Sequence, residues 1–321
     1  MGDLRAGLVG HGQMGRHHAR VLGAMEGVEL VGVADPSLTG SSTLSVVPDV
    51  EALLDLGIDI AVVASPTATH TPVGLRLAEA GVATLIEKPV AGNVKDALLL
   101  ADAFDAAGVV GCVGHIERYN PALRELRRRL AANELGNIYQ IATRRQGPFP
   151  ARINDVGVVL DLATHDIDVT SWVTQSRYAD ISARTAHRSG RQNEDLVAAV
   201  GLLEDGTVVN HLVNWLSPLK ERVVVVTGER GCFSADILAA DLTYYANGVA
   251  PVQWDTLASF RGVVQGDVTT FAIAKQEPLL AELHAFVEAV RGEGNDVVSI
   301  REAAEVVAVA HRLLGSSGGP R

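Results

Sequence analysis

The chain of 321 residues is 47% hydrophobic and 20% charged, the balance of a globular protein with a buried core, and its length predicts about two domains. A formal net charge of −11 argues against nucleic acid or an anionic membrane as the main partner, because both demand a basic surface. Two cysteines, Cys112 and Cys232, lie in apolar stretches, give no disulfide framework and suit a reducing cytoplasm. No leader is legible ahead of a first strand beginning near residue 4, and no apolar run approaches the ~20 residues of a membrane span.

Short β-branched runs are expected at 7–9, 29–33, 58–64, 83–86 and 109–113, with helices at 14–25, 69–80 and 94–107 between most of them. Strand–helix alternation with strands apolar throughout is the pattern of a parallel, doubly wound sheet. One unit is shortened: Pro36-Ser37-Leu38-Thr39-Gly40-Ser41-Ser42-Thr43 reads as loop, leaving a short helix near 50–56. After residue 118 the pattern changes. A linking helix is expected at 119–132, with Pro121 near its start, then strands at 138–145, 181–188, 196–203, 207–215, 222–227 and 232–237. Glu204-Asp205-Gly206-Thr207 is a hairpin turn, so this second part is mostly antiparallel. Two closing helices are expected at 277–291 and 300–314, before a Gly/Ser-rich tail. The predicted domains are therefore 1–118 and 119–321.

The first strand runs into Gly10-His11-Gly12-Gln13-Met14-Gly15, a GxGxxG turn that opens a helix. Gly10 suits the tight turn, Gly12 the close approach of a pyrophosphate, and Gly15 the packing of helix on sheet. The helix N-terminus then offers free N–H groups to the phosphates. Asp35 ends the second strand, where a carboxylate accepts hydrogen bonds from the adenosine ribose and repels a 2′-phosphate. NAD is the expected cofactor, with NADP kept open by the hydroxyl-rich loop that follows. Ser65, Thr67 and His70 follow the third long strand, where loops line the ligand crevice; Thr67 or Thr69 serves equally as a helix cap.

Leu85-Ile86-Glu87-Lys88-Pro89 places a lysine at a strand's carboxyl end, aimed into that crevice. A helix from about residue 157 would put Asp161 and His165 on one face, with Asp168 three residues further on. A carboxylate beside an imidazole raises its pKa and orients it, which suits a general base near neutral pH. No further His or Cys spacing supports a metal centre.

The GxGxxG turn, Glu87-Lys88-Pro89 and the Asp161/His165 pair, in this order, resemble the Gfo/Idh/MocA oxidoreductases over nearly the whole chain. The resemblance implies a Rossmann domain followed by an open-faced, mostly antiparallel β-sheet domain, an α/β plus α+β architecture. It implies Lys88 and His165 as the catalytic pair, with Asp161 orienting His165 or holding a sugar hydroxyl. The cofactor set becomes Gly10, Gly12, Gln13, Met14, Gly15, Asp35, Ser65, Thr67, His70 and Glu87. Gly114-His115-Ile116-Glu117-Arg118-Tyr119-Asn120-Pro121 and Gly147-Pro148-Phe149-Pro150-Ala151-Arg152 narrow the likeness to a nucleotide-sugar branch that oxidises UDP-N-acetylglucosamine at C3.

A diphosphate needs cations, and the expected substrate set is His115, Arg118, Asn120, Arg144 and Arg152. Arg144 and Arg145 are strand neighbours, so only one of them faces the site. Arg127-Arg128-Arg129 reads as a solvated helix face, and His17 and His18 as packing or surface residues. Rival readings are a dehydrogenase or ketoreductase of another sugar or an inositol-type polyol, and a non-catalytic NAD(H)-dependent regulator. The resemblance also implies a homodimer or homotetramer packed through the open sheet face, whose alternation shows in Val223–Val225 and Val208–His211.

Overall fold

The computed structural model describes residues 2–38, 45–150, 156–248 and 264–316. The chain divides into two compact units, Met1–Tyr119 with Glu277–His311, and Asn120–Gln276 with Arg312–Arg321. The predicted partition differs in one respect: the first closing helix and much of the second belong to the first unit. Their apolar faces explain this, since Leu279, Leu283 and Phe286 join one core of that unit and Ile300, Ala304 and Val307 the other.

The first unit is built on six parallel strands: β1 (Leu4–Val9), β2 (Val28–Ala34), β3 (Val46–Val47), β4 (Ile60–Val63), β5 (Ala83–Glu87) and β6 (Gly111–Gly114). Their order is β3-β2-β1-β4-β5-β6. β4 and β5 are buried along their whole length, as strands covered on both faces must be. The connecting helices are α1 (Gln13–Leu22), α2 (Val50–Leu54), α3 (Thr67–Glu79) and α4 (Val94–Ala107). The shortened α2 follows the loop expected after Asp35, of which residues 39–44 lie outside the described residues. Strand order reverses between β1 and β4, and ligands of such sheets bind where the carboxyl ends diverge.

Among the described residues the second unit carries α5 (Pro121–Ala131), α6 (Thr164–Thr174) and eight strands. These are β7 (Ile138–Pro148), β8 (Tyr178–Ala186), β9 (Leu196–Leu203), β10 (Val208–Asn214), β11 (Leu216–Gly228), β12 (Gly231–Asp236), β13 (Asp241–Gly248) and β14 (Val264–Thr270). Their order is β14-β13-β12-β11-β7-β10-β9-β8, antiparallel apart from the β7–β10 pair. The sequence did not announce β13 and β14, whose glycines and polar residues carry weak strand signals. The closing helices, α7 (Pro278–Arg291) and α8 (Ile300–Ser316), complete the chain.

One sheet face packs under helices through Ile141, Val209, Val213, Val224 and Phe233, all buried. The other leaves Val200, Leu202, Val208, Tyr245 and Val268 exposed. His211 is not on that open face: strand alternation turns it inward, where Thr143 Oγ1 lies 2.7 Å from Nδ1 and Tyr178 Oη 2.8 Å from Nε2. Burial drives its pKa down to about 3. The arginine run is also less solvated than expected. Arg127 lies over the Trp172 ring, and Arg128 and Arg129 both pair with Glu125.

Candidate active site

The three glycines of the first turn do different work. Gly10 has φ +89°, and a Cβ there would come within 2.7 Å of the Ser65 backbone. A Cβ on Gly15 would stand 2.1 Å from the Gly10 carbonyl oxygen. Both positions need glycine for the protein's own packing. Gly12 does not, because a Cβ there would meet nothing within 4 Å. The bare backbone leaves room above the start of α1, where no acidic side chain in the first turn offsets the helix's positive end. Gln13 opens α1 exposed and Met14 follows half-buried.

Asp35 braces this turn. Its Oδ2 accepts the His11 N–H at 2.7 Å, and its Oδ1 accepts the Ser37 N–H at 2.8 Å and hydroxyl at 2.6 Å. Partial burial works to raise its pKa, but these hydrogen bonds outweigh it and hold the carboxyl below its ordinary value. A fixed anion at the end of β2 and open space above Gly12 both fit an adenine dinucleotide.

Lys88 leaves β5 half-buried, and its peptide bond to Pro89 is cis. The preceding Glu87 turns inward, correcting its expected place on the cofactor surface. Its Oε1 lies 2.8 Å from His18 Nε2, and its Oε2 accepts the Lys88 N–H at 3.2 Å. Burial works to raise the Glu87 pKa, yet His18 and the Lys88 charge hold it below the ordinary value. His70 is likewise buried. Nδ1 lies 2.9 Å from the Pro89 carbonyl oxygen and Nε2 2.9 Å from that of Ser65. These contacts make it a strut between two loops rather than a ligand-facing group. Burial lowers its pKa against the opposing pull of those carbonyls. Ser65 Oγ lies 2.7 Å from Thr69 Oγ1, which donates to the Pro66 carbonyl at 2.7 Å. Thr67 is the first residue of α3 and does not cap it.

The other candidates separate. His115 is buried just past β6. Arg118, in a short 3-10 turn, pairs with Glu302 at 3.1 Å. Asn120 is consumed structurally rather than left for substrate: Oδ1 caps α5 through the Ala122 N–H at 3.0 Å, and Nδ2 donates to the Ile237 carbonyl at 3.0 Å. Arg144 points to the open sheet face and pairs with Glu221 at 2.6 Å, on the side away from α6. Strand alternation sends Arg145 to the helix side, where it meets Asp166 at 3.0 Å with both side chains buried. Arg152 lies outside the described residues.

Asp161 and His165 do not share one continuous α-helix. Val159–Ala163 is π-helical, with i→i+5 bonding, and α6 begins only at Thr164. Their four-residue spacing therefore differs from an α-helical face. Such π turns occur often at functional sites. Glu194 holds the segment's start: its carbonyl accepts the Val158 N–H at 2.9 Å and its Oε1 accepts the Val159 N–H at 3.0 Å. Gly157 makes room for it, since a Cβ there would lie 2.0 Å from Glu194 Oε1. Asp161, His165, Asp166 and Asp168 are all buried. Lys88 belongs to the first unit, and Asp161 and His165 to the second. His18, expected as a packing or surface residue, packs inside against Glu87; sequence reasoning missed Glu194, because it gains its meaning from a partner distant in the chain.

Residues 4–115 match a family described as oxidoreductase, NAD-binding Rossmann fold, and residues 123–234 match the Gfo/Idh/MocA C-terminal domain. UDP-N-acetylglucosamine 3-dehydrogenase of Acidithiobacillus ferrooxidans is 29% identical over 293 residues, covering 89% of this chain and 88% of that one. The solved structure of that organism's enzyme GnnA superposes with a TM-score of 0.85 at 27% identity, covering 98% of both chains. Myo-inositol dehydrogenase Hyg17 of Streptomyces leeuwenhoekii is also 29% identical, over 86% of this chain and 90% of that one. With these two matches falling in succession along it, the chain belongs to the Gfo/Idh/MocA family of NAD-dependent oxidoreductases, and the relatives named above are a sugar and a polyol dehydrogenase.

Proposed function

We propose that this enzyme oxidises a UDP-linked sugar, UDP-N-acetylglucosamine, at the C3 hydroxyl to the 3-keto sugar. The observation that carries the reading is whole-chain likeness, in sequence and in structure, to UDP-N-acetylglucosamine 3-dehydrogenase. Bound NAD supplies the hydride acceptor. The chain's own groups handle the proton and the charge. His165 takes the hydroxyl proton as general base, and Asp161 orients that ring or holds a neighbouring hydroxyl. Lys88, as ammonium, stabilises the developing alkoxide. Gly12 and the N-terminus of α1 receive the pyrophosphate, and Asp35 the ribose.

A second reading, an inositol-type polyol dehydrogenase, has a specific observation behind it. Arg118 and both of the alternatives Arg144 and Arg145, candidates for a diphosphate, are engaged with carboxylates: Arg118 with Glu302, Arg144 with Glu221 and Arg145 with Asp166. Absorbance of reduced nicotinamide separates the two. Purified enzyme is mixed with NAD and, in turn, UDP-N-acetylglucosamine, free N-acetylglucosamine and myo-inositol. Signal with the UDP-sugar alone is expected, and signal with free polyol transfers the function to the second reading. Self-association through Val200, Leu202, Val208, Tyr245 and Val268 belongs to the same proposal, and Val208→Lys is expected to lower the sedimentation-derived mass.

A further inference from the structure

Lys88 has a buried histidine behind each of its chain neighbours. On one side His18 holds Glu87, whose other carboxylate oxygen accepts the Lys88 N–H. On the other side His70 meets the Pro89 carbonyl. His18 is 0% exposed and His70 1%, so neither ring reaches a ligand. Buried imidazoles and a buried carboxylate carry a desolvation penalty that apolar packing would avoid. Their geometry supplies what apolar packing cannot, direction at fixed atoms.

Both connections lead back to the glycine-rich turn. His18 lies on α1, the helix that this turn opens. His70 reaches Ser65, whose backbone packs directly against Gly10. The lysine is thus referenced twice to the place where the dinucleotide's phosphates sit. We infer that His18 and His70 are positioning residues that fix Lys88 relative to the glycine-rich turn. The inference rests on the reading of Lys88 as the cation that stabilises the alkoxide.

His70 makes the inference testable at single-atom resolution. Both of its partners are carbonyl oxygens, which only accept, and a neutral imidazole has one N–H. Burial disfavours the doubly protonated ring. Positioning of Lys88 requires the proton on Nδ1, toward Pro89. Asparagine places an amide donor near Nδ1, and glutamine places one near Nε2. His70→Asn therefore keeps the brace on Pro89, whereas His70→Gln keeps only the link to Ser65. In the same way His18→Gln keeps a donor toward Glu87 and His18→Leu removes it.

Amide hydrogen exchange across residues 83–93 of the full-length protein reads the brace without any substrate. His70→Gln and His18→Leu are expected to exchange there roughly tenfold faster than wild type, the factor that one neutral hydrogen bond supplies, with His70→Asn and His18→Gln close to wild type. Turnover is read in parallel. kcat per active site, counted by NAD-binding stoichiometry, is expected to fall roughly tenfold in the two loosened variants with the KM for NAD unchanged, so that loss of folded enzyme is not the cause. Equal exchange in His70→Asn and His70→Gln overturns the inference whatever the turnover. A loosened loop with kcat unchanged, while Lys88→Ala is inactive, overturns it as well. A fully active Lys88→Ala instead removes the catalytic reading of Lys88, and the exchange pattern still reports whether the brace exists.

Discussion

The two units hold their candidate reacting groups by different means. In the first, Lys88 follows a strand buried along its whole length, and hydrogen bonds to the Pro89 carbonyl and the Glu87 carboxylate pin the backbone on both sides of it. In the second, His165 stands within a helix whose start is bent into a π turn and whose side is tied to the sheet by a buried ion pair. One unit positions through the backbone of a loop, the other through a buried ion pair between helix and sheet. Loop register survives modest change because many backbone bonds share it. A buried charge does not, because removing one partner leaves the other uncompensated in a low-dielectric interior.

The largest effects should fall on the reacting groups themselves and be alike in both units. Lys88→Ala and His165→Ala are each expected to lower kcat by about 10²–10⁴, the range for losing a charge-stabilising donor or a general base. NAD affinity, measured by fluorescence titration, should change little in either variant. Near-normal turnover in one of them would place the chemistry wholly in the other unit.

Behind the reacting groups the units should part. Arg145→Ala strands Asp166 and is expected to cost about 3–5 kcal/mol in urea unfolding. The double change Arg145→Met with Asp166→Leu removes both charges and should recover most of that loss. If the single variant unfolds like wild type, the second unit does not depend on buried charge and the contrast fails. A smaller effect is expected at the start of the same helix. Gly157→Ala puts a Cβ into the Glu194 carboxylate and frees the Val159 N–H, at about 1–3 kcal/mol. Added to Glu194→Ala, the glycine change should cost much less than alone, because the clash and the bond are then already gone.

This contrast also decides what was legible in the sequence. The first unit's chemistry sits at strand ends, where a local motif fixes place: Gly10, Gly12, Asp35 and Lys88 stand at carboxyl ends of strands or in the turn after one, and Gly15 in the first turn of the helix that follows. Even there the sequence does not show that His70 and Glu87 turn inward, since a motif gives position along the chain and not the side to which a group turns. In the second unit the mostly antiparallel sheet was legible from alternation and the Asp-Gly turn. Which of Arg144 and Arg145 faces inward was not, because the sequence shows that they alternate without saying which face the helix covers. The π turn escaped for a related reason. Asp161 and His165 keep helical spacing in the sequence, and that spacing does not show the extra residue per hydrogen-bonded loop or the anchoring of the segment's start by Glu194, more than thirty positions away. Asn before Pro121 is an ordinary helix-capping pattern, and Asn120 caps its helix in that way rather than standing open as the substrate group the motif suggests.

The smallest effect tests whether the first unit carries, beside the paired Glu87, a second buried charge that has no partner. Glu282, on α7, is 1% exposed, and neither carboxylate oxygen has a hydrogen-bond partner among the described residues. Burial, with the Glu87 charge adding to it, raises its pKa well above the ordinary value. The folded protein therefore keeps a proton that the unfolded chain releases once pH passes its unperturbed value near 4.5. Because the folded state binds more protons above that point, stability from this group falls as pH rises toward the folded pKa. Glu282→Gln keeps the shape and removes the titration. The variant and wild type should unfold at similar urea concentrations near pH 5, where both carry a neutral side chain in the folded state. At pH 8 the variant should be the more stable by about 1 kcal/mol or more, the scale of one linked proton. Parallel stability curves at both pH values would mean that Glu282 is ionised when folded. The first unit would then rely on an unsatisfied interior charge, and its distinction from the second would be lost.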